Sequence, residues 1–230
     1  MLETRFPRPP GAIGNPASFA YPVRYAVVRG ASPQRVVRER AAGLLAPFIE
    51  AARSLEREGC SAITTSCGFL ALFQDAVAGA LGVPFAASSL LQLPRLAAML
   101  PGRQRPGVIT ISDAALGPDH PRGAGAAPDT PVAGVRPDGE FARAILGDQP
   151  TLDMALLERE VLEAGERLIT RHPDIGAIVL ECTNMPPYTA ALRAATGLPV
   201  YDALTLADRL MGAMGEPDSL TSRVTRPAES

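Results

Sequence analysis

Residues 62–92 read AITTSCGFLALFQDAVAGALGVPFAASSLLQ, and residues 177–207 read AIVLECTNMPPYTAALRAATGLPVYDALTLA. A shift of 115 positions lays one on the other without a gap, because 182 − 67 and 197 − 82 both give 115. Ala62, Ile63, Cys67, Ala76, Ala80, Gly82, Pro84 and Leu91 then meet Ala177, Ile178, Cys182, Ala191, Ala195, Gly197, Pro199 and Leu206. Eight identities in 31 positions are few, but the cysteine and the Gly-x-Pro punctuation fall together. The chain therefore reads as a duplicated unit.

Each copy predicts helix, strand, cysteine turn, helix, Gly-x-Pro and strand. In the first, the spacing of Val37, Leu44, Leu45, Phe48, Ala52 and Leu55 predicts an amphipathic helix over 34–58. A strand over 61–65 follows, then a helix over 68–80 with Phe69, Leu72, Phe73, Ala76 and Ala80 on one face, then a strand over 83–87. The second copy predicts a helix over 151–171, a strand over 176–181, a helix over 186–196 and a strand over 198–202. Pro186 and Pro187 suit the first turn of that helix. Helices alternating with short buried strands imply an α/β fold with parallel sheets flanked by helices. Two such units imply two flavodoxin-like lobes related by a pseudo-two-fold axis, with an active site between the lobes.

The break PGRQRP at 101–106 precedes GVITIS at 107–112, the first strand of the second lobe. Residues 1–100 with 203–230 are thus expected to form one lobe, and 101–202 the other. The Gly/Pro-rich stretch 117–131 is either a lid or a surface excursion. The first lobe lacks a full counterpart of GVITIS, since only Met1–Thr4 precede the FPRPPG turn. Its opening strand is expected to be shortened by a late start codon, which the mass of the natural N-terminus decides. The polar tail from Glu216 is expected to fray.

Composition narrows the chemistry. All 22 cationic side chains are arginine. Without lysine there is no internal Schiff base and no P-loop. His120, His172, Cys60, Cys67 and Cys182 are too few and too scattered for a spaced zinc site. A net charge of −2 with 20% charged residues offers no face built for nucleic acid or an anionic membrane. The apolar runs are too short to span a bilayer, and MLETRFPRPP is not a signal peptide. Three unevenly spaced cysteines make no disulfide framework, so a reducing cytoplasm is the expected compartment. No cofactor or metal is expected. The expected partner is a small anionic molecule, and a homo-oligomer is compatible with the sequence.

Ligands of parallel α/β units sit beyond the carboxyl ends of the strands. Cys67 and Cys182 both fall there, at strand-to-helix turns, where the positive end of a helix is expected to favour a thiolate. If the lobes face each other, the two sulfurs flank one pocket and form an acid–base pair. Thr65, Ser66, Gly68, Thr183 and Asn184 supply hydroxyls, an amide and backbone N–H groups for a carboxylate. Thr65 and Ser66 could equally cap the next helix, and Asp202 could face the cleft or cap a helix. Glu181 either tunes the second thiol or pairs with an arginine. Tyr188 is placed to reach the pocket. Cys60 reads as a small buried hydrophobe, and His172 and His120 as surface residues, His120 unless its loop closes over the cleft.

ITTSCGFL and IVLECTNMPPY, followed by GVPF and GLPVYD, resemble the paired motifs of the Asp/Glu/hydantoin racemase superfamily over nearly the whole chain. The resemblance implies two flavodoxin-like lobes with a two-thiol site, and cofactor-independent racemases, epimerases and isomerases with decarboxylase relatives. GNPASF at 14–19 is similar to the small-residue segment after the first strand in the aspartate racemase branch, which implies Asn15 and Ser18 as pocket residues. Where the amino-acid racemases typically read Cys-Asn-Thr, this chain reads Cys67-Gly68-Phe69, and Asn184 stands where His or Glu is usual. Two-thiol racemisation or epimerisation of a small carboxylate or imide is the expected activity. A decarboxylase, a lyase, a cis–trans isomerase or a non-catalytic acid-binding protein are the alternatives.

Overall fold

The computed structural model describes residues 1–213; the tail from Glu216 lies outside the described residues. Short aliphatic runs bounded by Gly and Pro build two parallel sheets. β1 (Ile63–Thr64) pairs with β2 (Phe85–Ala86). β3 (Arg105–Thr110), β4 (Val132–Gly134), β5 (Ile175–Leu180) and β6 (Val200–Tyr201) form the other, in the order β4-β3-β5-β6. All six residues of β5 are buried, as a strand covered on both faces requires.

The duplication is reproduced bond for bond. Ile63 pairs with Phe85 and Thr64 with Ala86, while Ile178 pairs with Val200 and Val179 with Tyr201. The Ile63 amide donates to the Pro84 carbonyl at 2.9 Å, and the Ile178 amide to the Pro199 carbonyl at 2.9 Å. After each thiol the same turn closes, Leu70 N to Cys67 O at 3.1 Å and Met185 N to Cys182 O at 3.0 Å. At the start of the chain Leu2 bridges Val28 in parallel, and its amide donates to Ser66 Oγ at 2.9 Å. The Leu2 segment thus lies between Val28 and the end of β1, as β3 lies between β4 and β5.

Seven helices among the described residues flank these sheets: α1 (Leu45–Arg57), α2 (Gln74–Ala78), α3 (Leu93–Met99), α4 (Asp119–Gly123), α5 (Met154–Arg171), α6 (Thr189–Thr196) and α7 (Ala203–Ala213). The longest, α5, starts at Asp153, whose carboxylate accepts from the Ala155 and Leu156 amides. It buries Leu157, Val161, Ala164 and Leu168 at helical spacing, the leucines and the valine each contributing about 1.5–3 kcal/mol. Asp202 caps α7 by accepting from Thr205 N at 2.9 Å and from the Thr189 hydroxyl at 2.6 Å, so it is not a cleft residue. No helix among the described residues is long and apolar enough to cross a membrane.

The chain departs from the sequence reading in three places. The helix expected over 34–58 is broken: a π-helical turn at Gln34–Arg38 precedes α1, and Arg40 and Ala41 between them take φ of 53° and 52°. The break lets the adjacent Val36 and Val37 bury together with Leu44, Phe48 and Ala52, which one straight stripe cannot do. The segment 68–80 opens as a 3-10 turn over Gly68–Phe73, and the tighter winding moves its buried face: Phe69, Leu70, Ala71 and Val77 are inside and Ala76 is exposed. Finally, 117–131 carries α4, and His120 is 1% exposed rather than on the surface. Its ring stands edge-on to Phe69 at 5.2 Å, Nδ1 is hydrogen-bonded with Gly117 O at 3.1 Å, and burial holds its pKa below the usual value. This segment packs on the turn after Cys67, where a methyl group on Gly123 would come within 2.7 Å of the Ala71 carbonyl oxygen.

Candidate active site between the cysteine turns

The two cysteine turns meet across the pseudo-dyad. Cys67 and Cys182 are both free and buried, and both line one small pocket of about 20 Å³. Ser66, Gly68, Phe69, Glu181, Thr183 and Asn184 come from the same turns, and Leu2, Phe6, Pro33, Val37, Ile111, Ile145 and Leu146 complete the walls. Such a cavity holds about one water, so a substrate enters only if the apolar walls part. A second cavity, about 280 Å³, lies in the first lobe beside Tyr21, Tyr25, Cys60 and Met211 and contains neither thiol.

Hydroxyls lock the two turns. The Thr65 hydroxyl donates to Ala87 O at 2.7 Å and accepts from Cys67 N at 3.2 Å, which fixes the Cys67 backbone. The Thr183 hydroxyl donates to Ser66 O at 2.7 Å, tying the second turn to the first. Ser66 is engaged by Leu2 N. Asn184 Nδ2 lies 3.8 Å from Cys182 Sγ, within reach of a weak sulfur hydrogen bond. The side chains of Asn15 and Ser18 serve their own loop: Asn15 Nδ2 donates to Arg8 O at 2.7 Å, and Ser18 Oγ donates to Ala12 O at 2.7 Å. Neither lines the thiol cavity. Tyr188 lies behind the wall with its hydroxyl 3.4 Å from Met154 Sδ, and so does not reach the pocket. Cys60 and His172 are half-buried and lie away from it.

Two charged side chains complete the site. Arg8, half-buried in the FPRPPG turn, stacks on Phe6 with Cζ 4.6 Å from the ring centre. Its guanidinium donates to Asn184 Oδ1 at 3.3 Å and to Thr4 Oγ1 at 3.0 Å. No periodicity marks this arginine; a prolonged Pro-rich turn ahead of a small-residue segment is its only signal. Glu181 is 0% exposed and forms no ion pair with an arginine among the described residues. Its Oε2 accepts from the Thr110 hydroxyl at 2.7 Å, while Oε1 faces Gly68, where any Cβ would collide with it. The only buried side-chain nitrogen or oxygen atoms without a partner among the described residues are Arg8 Nε and Glu181 Oε1. Both belong to this site.

The electrostatics reverse the expectation of a resting thiolate. Burial, and then the Glu181 charge, push Cys182 up to about 12 and Cys67 well above its ordinary value. The Asn184 donors and Arg8 pull Cys182 back, whereas Cys67 has the Phe69 amide and Arg8. Helix dipoles contribute little, because each thiol precedes a short 3-10 turn rather than a long α-helix. Burial raises Glu181 to about 8 against the hydrogen bond from Thr110.

A profile of the family described as Asp/Glu/Hydantoin racemase matches residues 38–210. The chain belongs to the Asp/Glu/hydantoin racemase family. This racemase-family chain is 35% identical over 211 residues to a dimethylsulfoniopropionate lyase of Durusdinium sp. clade D, covering 86% of this chain and 68% of that one. It is 30% identical over 224 residues to dimethylsulfoniopropionate lyase 7 of Emiliania huxleyi, covering 93% and 65%. Among solved structures it resembles a point mutant of arylmalonate decarboxylase in a sulfate-associated form, with TM-score 0.55 and 19% identity over 84% of this chain and 82% of that one. Allantoin racemase from Klebsiella pneumoniae gives TM-score 0.51 and 19% identity over 74% and 65%. These likenesses show the shared α/β fold of the family. Because proteins named as lyases, a decarboxylase and racemases share it, the fold does not fix the isomerase class that the motifs suggested.

Proposed function

We propose that the chain is a carbon–sulfur lyase: it takes the α-proton of a small carboxylate and expels a sulfide from the β-carbon, with dimethylsulfoniopropionate the first substrate to test. The observation that carries this reading is the meeting of two buried thiols in one small pocket, with the Arg8 guanidinium held on the pocket residue Asn184 and close enough for its charge to act on both thiols. The names of the curated relatives choose the leaving group. Arg8 is the natural anchor for the carboxylate, since its Nε is buried without a partner.

Cys182 is the better base of the two thiols, because the Asn184 side chain and amide both favour its anion. With a pKa near 12 it is neutral in the empty site, so the substrate has to lower it. A sulfonium does so with its own positive charge, while Arg8 is taken up by the carboxylate. The thiolate removes the α-proton, the α–β double bond forms, and the β-carbon–sulfur bond breaks with its electrons going to sulfur. Acrylate and neutral dimethyl sulfide leave, and the α-proton stays on Cys182 and restores its neutral resting form; the proton released overall is the one Cys182 gave up on becoming a thiolate. Backbone N–H groups of the cysteine turns face the carboxylate as negative charge gathers there.

The equivalence of the two turns favours racemisation or epimerisation as a second reading, with Cys67 returning a proton to the opposite face. Proton NMR in heavy water separates the two over a panel of sulfonium acids, amino acids, hydantoins and arylmalonates. Vinyl signals from a sulfonium acid support the lyase. α-Deuteration with loss of optical rotation, and no vinyl product, transfers the assignment to the racemase reading.

A further inference from the structure

We propose that Glu181 is the proton-holding partner of the thiol pair, accepting the proton that must leave Cys182 before the thiolate can act. Three features place it there. Its backbone adjoins Cys182, its Oε1 lies over Gly68 next to Cys67, and both thiols and the carboxyl line the same cavity. Oε1 is also one of two buried side-chain polar atoms with no partner among the described residues, so it is free to receive a proton. Oε2 is committed to the Thr110 hydroxyl, which orients the carboxyl. Gly68 makes this possible, because a side chain there would fill the space Oε1 occupies.

The titratable groups facing Glu181 are Cys67 from the first turn and Cys182 from its own; Arg8 from the FPRPPG turn acts on both thiols, and β3 offers the uncharged Thr110. Arg8 carries one positive charge, so the site is neutral when the three acids together carry one negative charge. Glu181 holds that charge in the empty enzyme above its raised pKa. When substrate binds, the proton moves from Cys182 Sγ to Glu181 Oε1 and the charge moves to sulfur. No bond other than S–H and O–H changes and no co-reactant is needed. Glu181 acts through the thiol and is a positioning residue.

This inference rests on the thiol-base reading, so the experiment has a readout that needs no substrate. Thiolate formation is followed by its ultraviolet absorbance from pH 6 to 11 in the wild type and in Glu181→Gln, with Cys67→Ser and Cys182→Ser to assign the signals. The carboxylate charge opposes the thiolate, so Glu181→Gln is expected to form thiolate at a pH lower by one unit or more. Sulfonium-acid turnover is expected to fall at least tenfold in the same variant and to lose its dependence on a group titrating near 8. More thiolate with less turnover is not the signature of a damaged fold. Thr110→Val, which removes only the donor to Oε2, is expected to move the acid limb of the rate profile to higher pH. An unchanged thiolate titration, or an unchanged rate profile in Glu181→Gln and Thr110→Val, overturns the proposal. If no variant or wild type turns over any sulfonium acid, the thiolate titration still decides the role of Glu181 while the lyase assignment falls.

Discussion

Replacing Gly68 with alanine tests the fit on which the site depends. A methyl group at residue 68 collides with Glu181 Oε1 and with the Glu181 carbonyl oxygen, and lies 2.9 Å from Cδ. The carboxyl can swing away, at the cost of its Thr110 hydrogen bond, but the carbonyl oxygen belongs to the backbone that carries Cys182. Overpacking a close-packed site costs about 1–3 kcal/mol, and a backbone collision belongs at the upper end, about 2–3 kcal/mol. For a chain of this size each kcal/mol lowers Tm by about 2–4 °C, so Gly68→Ala should melt about 4–12 °C lower. The two turns must separate by a fraction of an ångström or more, and misplacing reacting groups on that scale costs on the order of 100-fold in rate. Calorimetry gives the Tm, and vinyl-product kinetics give the rate. Adding Glu181→Ala removes the carboxyl collision but leaves the carbonyl one, so the double variant should lose less stability than the sum of the singles. A Gly68→Ala protein that melts within about 1 °C of wild type and turns over at the same rate would refute the packing argument.

Arg8→Met keeps the apolar stem over Phe6 and removes the charge-assisted contact with a carboxylate, worth about 1.5–3 kcal/mol; KM should rise roughly 10- to 150-fold in steady-state kinetics, and an unchanged KM would show that the anchor lies elsewhere. Glu181 also imposes a pH-dependent cost on folding. Its carboxyl titrates near 4.5 when unfolded and near 8 when folded, so the folded state binds more protons between those values and loses stability as pH rises through them. That loss is on the order of 5 kcal/mol once pH exceeds 8, and Glu181→Gln should remove it. The difference in Tm between wild type and Glu181→Gln should therefore grow from pH 5 to pH 9 in favour of the variant; a constant difference would mean that the buried carboxyl is not destabilising.

The duplication was legible because it is written in a few stiff positions: the cysteines, the Gly-x-Pro breaks and the β-branched residues that end at each turn. The identical register of Ile63 with Phe85 and Ile178 with Val200 is what a 115-residue repeat requires. The break at Arg40–Ala41 was not legible, since φ values of 53° and 52° at an arginine and an alanine arise from tertiary packing and carry no local signature. His120 misled for a related reason, its Gly/Pro-rich surroundings suggesting a surface loop when Phe69 supplies an aromatic edge for it 51 positions back in the chain (120 − 69). The thiols' location was readable, but their ionisation was not, because burial and Glu181 outweigh a helix dipole that the short 3-10 turns weaken. Arg8 lies 174 positions before Cys182 (182 − 8), and only folding shows that the two share a charge balance.

The most direct test is headspace measurement of dimethyl sulfide from the purified protein incubated with dimethylsulfoniopropionate, beside Cys67→Ala and Cys182→Ala. Wild type should release dimethyl sulfide and acrylate in equal amounts. Cys182→Ala should release none above the uncatalysed rate, whereas Cys67→Ala, which leaves the Cys182 base in place, should still release it. Undiminished release by Cys182→Ala, or none by a folded wild-type protein, would contradict the lyase built on a Cys182 base.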